Sequence, residues 1–68
     1  MKFDIYGQFN IEVAREGDAW IAYLLSPGKR VRMHEVGIPA ILAPHEIAVF
    51  LDDLYHEKAK PGQVVRLM

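Results

Sequence analysis

The chain has 68 residues, 51% of them hydrophobic, with no cysteine and a formal net charge of -1. These figures describe one small domain and exclude disulfides, thiolate zinc sites, a global attraction to nucleic acid or anionic membranes, and any run near the roughly 20 apolar residues of a membrane span. So small an interior cannot hold so much apolar surface, so the surplus is expected in an interface, with self-association in place of a covalent staple.

Met1-Lys2-Phe3-Asp4 reaches charge at once and lacks the apolar core of a signal peptide, which makes a soluble cytoplasmic protein the expectation. From Phe3 to Val13 the odd positions Phe3, Ile5, Phe9, Ile11 and Val13 are apolar and polar residues fall between them, the period of a half-buried strand. Gly7 interrupts that alternation, which predicts a bulge or bend and a strand in two pieces. A turn at Glu16-Gly17-Asp18 leads into Trp20–Leu25, rich in aromatic and branched residues and apolar on both faces. Ser26-Pro27-Gly28-Lys29 has the composition of a β-turn, and Arg30–Val36 alternates as a third, solvent-facing strand.

Gly37-Ile38-Pro39 ends the sheet, and Ala40–Leu42 is a candidate short turn of helix. Pro44 at a first helical position, acidic Glu46 behind it and Pro61-Gly62 as a stop predict a helix from about Pro44 to Lys58. Ile47, Phe50, Leu51, Leu54, Tyr55 and the stem of Lys58 form its apolar stripe, and Gln63–Leu67 is a candidate short fourth strand. The expected fold is therefore a single α+β domain over residues 1–68. It is an antiparallel three-stranded meander followed by one amphipathic helix packed on one face, β-β-β-α, with a core of Phe3, Ile5, Phe9, Ile11, Val13, Ile47, Phe50, Leu51 and Leu54. Which parity of Trp20–Leu25 meets the helix is left open by the pattern.

Phe3-Asp4-Ile5-Tyr6-Gly7, Glu16-Gly17-Asp18-Ala19-Trp20, Gly28-Lys29-Arg30, Ile38-Pro39, Phe50 to Glu57 and Pro61-Gly62 resemble a family of short, uncharacterised bacterial proteins across nearly the whole chain. That resemblance implies a bacterial domain of unknown function and carries no catalytic or binding residues with it. The hairpin Glu16–Tyr23 and the helix also resemble, in topology, the antitoxin domain of HicB-like toxin-antitoxin pairs, which implies binding of a partner protein.

The chemistry-bearing residues are few. Helical spacing puts His45, Val49, Asp52, Asp53 and His56 opposite the apolar stripe, with Asp52 and His56 one turn apart and able to reach one divalent ion. Ser26 is the only serine and sits in a turn, and Gly28-Lys29 lacks the spacing of a phosphate-binding loop, so neither a catalytic residue nor a cofactor is expected. Lys29, Arg30 and Arg32 form a basic hairpin which, with aromatic side chains for stacking, is a candidate nucleic-acid contact. Tyr6, Trp20, Tyr23 and Val49 are candidate interface residues. A non-enzymatic protein-interaction module, a homodimer or an antitoxin-like binder of another protein, is the leading expectation. A small nucleic-acid-binding domain and a metal protein or enzyme using Asp52 and His56 are its rivals.

Overall fold

The alternation of the first thirteen residues belongs to two strands. In the computed structural model, which describes residues 1–68, β1 (Lys2–Ile5) and β2 (Phe9–Glu16) form an antiparallel hairpin with Phe3 opposite Ile11 and Ile5 opposite Phe9. Tyr6 and Gly7 make the reversal, both left-handed with φ of 57° and 70°, and Gln8 N–H closes it by donating to Ile5 C=O at 2.9 Å. Two consecutive residues at positive φ give the type I′ geometry, whose twist matches that of paired strands. The expected three-stranded meander is corrected here: Gly7 belongs to a full reversal, not a bulge, and the sheet has five strands.

Two-residue turns at Gly17-Asp18 and Pro27-Gly28 lead into β3 (Ala19–Ser26) and β4 (Lys29–Arg32). The crossover from Met33 to Ala43 then reaches a 3-10 turn at Pro44–Glu46, helix α1 (Ile47–Tyr55) and a second 3-10 turn at His56–Lys58. The helix expected from Pro44 to Lys58 is thus α-helical only in its middle nine residues. Pro44 opens it, and the Glu46 carboxylate accepts the Ala43 N–H at 2.7 Å, satisfying a donor at the helix start. The fourth strand inferred near the C-terminus is β5 (Val65–Leu67), paired antiparallel to β1, so the strand order is β4-β3-β2-β1-β5.

Cross-strand partners share a sheet face, so the register sorts every strand residue. Phe3 and Ile5, then Ile11 and Val13, then Trp20, Ala22 and Leu24 point toward the helix, which settles the parity of β3. Ile21, Tyr23 and Leu25 point away. Ile47 and Leu51, one turn apart on α1, are fully buried against this face, and Val36 and Ile38 of the crossover join the same core. The core expected from sequence needs one correction. Leu54 is 47% exposed, because the helix lies on the sheet along the i, i+4 row Ile47-Leu51-Tyr55, and the Tyr55 ring takes the inner position against Phe9 at 5.3 Å, edge to face. Phe9 and Phe50 pack at its margin, and Tyr6, Ala22, Val36 and Ile38 enter it unforeseen.

The crossover is pinned over the part of the sheet beyond the helix. Met33 N–H donates to Ala22 C=O at 2.9 Å, Trp20 Nε1 donates to Leu42 C=O at 3.0 Å, and Arg15, stacked 4.7 Å above the Trp20 ring, donates to Ala40 C=O at 2.9 Å. Ala40 and Ile41 form a turn, with Leu42 N–H donating to Pro39 C=O at 3.1 Å.

Leu51→Ala should lower unfolding free energy by about 2–5 kcal/mol in urea denaturation, the usual loss for a buried leucine, whereas Leu54→Ala, half in water already, should cost under about 1 kcal/mol.

Candidate functional site

Tyr6 is the one residue other than glycine at positive φ, and its ring is buried with 2% of its surface exposed. A bulky side chain rarely adopts this conformation, so something must hold it. Its hydroxyl donates to Asp52 Oδ1 of α1 at 2.5 Å and lies 3.2 Å from the Asp52 carbonyl oxygen. The neighbouring residues of the same turn grip the remaining elements: Gln8 Nε2 donates to Lys58 C=O at 2.8 Å and to Gln63 Oε1 at 3.2 Å, and Tyr6 N–H donates to Val64 C=O at 3.2 Å. Burial, then the hydrogen bond to Asp52 and the charges of Asp52 and Asp53, push the Tyr6 phenol up to about 12.

This changes the reading of the helix's outward face. Asp52 is engaged by Tyr6, and His56 Nδ1 bonds to Asp53 C=O at 2.8 Å, so each member of the candidate metal pair has its own protein partner. No three His, Asp or Glu side chains are grouped to hold a metal ion.

The basic hairpin is divided by its own alternation. Arg30 and Arg32 fall on the helix-free face with Tyr23, and Lys29 on the opposite one. Arg30 lies 4.1 Å over the Tyr23 ring and pairs with Glu12 at 3.1 Å, while the Tyr23 hydroxyl donates to Glu16 Oε2 at 2.5 Å. That hydrogen bond, ahead of partial burial, raises the Tyr23 phenol above its ordinary value. The apolar residues of this face therefore sit among Arg30, Arg32 and the carboxylates of Glu12 and Glu16. Of the four candidate interface residues, Tyr6 is in the core, Trp20 clamps the crossover and Tyr23 lies beneath Arg30.

Val49 has a different setting. It is 64% exposed and lines two open grooves at once. One, of about 450 Å³, is bounded by Leu42, His45, Glu46, Phe50 and Asp53; the other, of about 220 Å³, runs between α1 and β5 and is lined by Ala48, Asp52, Gln63, Val64 and Val65. Val64, Leu67 and Met68 beside β5 are also at least half exposed. Ile41 in the crossover is the most exposed large apolar residue, at 91%. The sequence singles out Val49 on this side but not Val64, Leu67 and Met68 beside it, for which the run Val64-Val65-Arg66-Leu67-Met68, with one charge in five residues, was the available signal.

Residues 1–68 match the family described as a domain of unknown function, DUF7661. The chain belongs to that family. No curated protein and no solved structure matches it, and no helix is long and apolar enough to cross a membrane.

Removing the hydroxyl in Tyr6→Phe should cost about 1–3 kcal/mol, as for a buried hydrogen bond to a charged acceptor. The raised phenol also fixes a pH dependence. Its stabilisation is fully present below the unfolded tyrosine value of 10.0 and is lost as pH rises from there through about 12. The wild-type chain should lose more stability than Tyr6→Phe between those limits, measured by urea denaturation at stepped pH.

Proposed function

We propose that this domain is a non-enzymatic protein-interaction module that works as a homodimer, and that its contact surface is the side formed by α1 and β5. The observation that carries this reading is the exposed Val49 crest between two grooves, continuous with exposed Val64 at the β5 edge. Five of the eight large apolar residues left in solvent, Val49, Leu54, Val64, Leu67 and Met68, lie on α1 or in and beside β5. Concentrated apolar exposure of this kind is the mark of an interface in a soluble domain.

The chemistry around the grooves supports binding over catalysis. His45 and Asp53 are solvent-exposed at a rim, Glu46 is occupied in capping Ala43, and Asp52 is occupied by Tyr6, so the titratable groups do not converge on one point. The helix-free sheet face is a weaker candidate for either a protein or a nucleic acid, because Arg30 is already paired with Glu12 and stacked on Tyr23, with Glu16 alongside. With Arg30 so engaged, Arg32 is the one cation of the basic hairpin left on this face for a phosphate, a small electrostatic footprint.

Light scattering over a dilution series should return twice the chain mass of 7.8 kDa for the wild-type protein and the single-chain mass for Val49→Asp, whose circular dichroism should stay unchanged because the side chain is in water in the monomer. A wild-type monomer at every concentration would overturn the homodimer and leave the same surface for a different protein.

A further inference from the structure

The two edges of the sheet differ in how they meet water. β4 carries Lys29, Arg30 and Arg32 in four residues, a charged edge of the kind that resists pairing with another strand. β5 carries one charge, Arg66, between Val65 and Leu67. Its hydrogen bonding to β1 is also known by parity. Tyr6 N–H donates to Val64 C=O and Met68 N–H to Lys2 C=O, so positions 64, 66 and 68 direct their backbone groups at β1, and 65 and 67 direct theirs outward. No strand lies beyond.

We propose that β5 pairs antiparallel with β5 of a second copy about a two-fold axis at Val65, joining two five-stranded sheets into one of ten strands. This rests on the homodimer reading above and gives it a register. Three alignments let the outward-facing positions of β5, 65 and 67, meet each other. Centring on Arg66 sets the two Arg66 side chains directly opposite, where like charges repel. Centring on Leu67 leaves the α1/β5 groove at the margin of the contact. Centring on Val65 sets Arg66 opposite Val64 of the other copy, keeps each Arg66 beside its own register partner Asp4, and brings together the two grooves that Val65 lines with Val49 and Val64. The Val65 backbone groups of the two copies then exchange two hydrogen bonds, and Leu67 N–H of each copy reaches Gln63 C=O of the other. Because the axis is perpendicular to the sheet, both helices lie on the same face, and the two Val49 crests approach each other across the seam. The occupant is a second copy and not an unrelated strand because the edge is self-complementary in this register: Val65 meets Val65 on the helix side, Leu67 lies opposite Gln63, and no charge is opposed by its like.

Single-cysteine chains test the register, since this protein has no cysteine of its own. A hydrogen-bonded antiparallel pair holds its Cα atoms about 5.5 Å apart, within the reach of a disulfide. Val65→Cys should therefore form a covalent dimer under mild oxidation. Arg66→Cys should not, because in this register its two copies lie beyond the roughly 7 Å limit. Val65→Pro removes an outward N–H that β1 does not use and should give a folded monomer by light scattering and circular dichroism. Cross-linking through Arg66→Cys instead of Val65→Cys would overturn the register. A wild-type dimer that survives Val65→Pro without cross-linking at Val65 would overturn β5 pairing while leaving the Val49 surface standing, and a wild-type monomer would overturn both.

Discussion

The hydrogen bond from Tyr6 to Asp52 ties the least comfortable backbone position in the chain to the only α-helix. Tyrosine pays a steric cost in the left-handed region that the Gly7 beside it does not, and the type I′ turn requires both residues to go there. What compensates is tertiary: the ring enters the core, the hydroxyl finds a carboxylate, and the backbone N–H closes onto Val64. Three residues in and beside one turn consequently hold α1, the 3-10 turn after it and the entry to β5, through Tyr6, Gln8 and the edge-to-face contact of Phe9, first residue of β2, with Tyr55. In a domain with no disulfide, this turn does the work of a staple by linking the N-terminal hairpin to the last third of the chain.

The same economy explains how one helix serves a sheet of five strands. α1 is nine residues, roughly 13 Å at 1.5 Å per residue, and cannot cover strands spaced about 4.8 Å apart across the full width. The crossover covers β3 with Val36 and Ile38, locked by Trp20 and Arg15, and the helix takes the β1 side. On the reverse face no element packs at all. There Tyr23 is roofed by Arg30 and tied to Glu16, so the sheet tolerates Ile21 and Leu25 outside the core without a second layer.

The register shows why the core was more legible than the topology. With Ile5 opposite Phe9, the reversal holds three residues, so odd positions stay on one face before and after it. One long strand and a tight hairpin therefore give the same alternation, and Phe3, Ile5, Ile11 and Val13 are correctly read as inward on either. Only Gly7 distinguished the two, and a lone glycine in a strand fits a bulge as well as a reversal. The parity of β3 had no such signal, because Trp20–Leu25 is apolar at every position; pairing with Val13 and Ile11 decides it. The site was less legible still. Asp52 at helical spacing from His56 reads as a possible ligand pair, and nothing local reveals that its partner is a tyrosine 46 residues earlier. Tyr6 reads as an exposed aromatic for the same reason: its burial comes from the helix, not from its own segment.

Folding and association meet at one point in this arrangement. Val64 accepts the Tyr6 N–H on one side and borders the Val49 groove on the other, so the residue that anchors β5 to the turn also belongs to the proposed contact surface. A short strand held at one edge only is the element of a sheet most prone to fray, and β5 has three residues. Pairing its outer edge would supply the hydrogen bonds that water now competes for, and would order the strand that closes over Phe3 and Ile5. Binding to the folded state alone stabilises it by mass action. In the proposed dimer, dilution should therefore loosen first the β5 side of the molecule and with it the grip of the Tyr6 turn, while the β2–β3 hairpin, which carries the longest pairing register in the sheet, would depend least on a second copy.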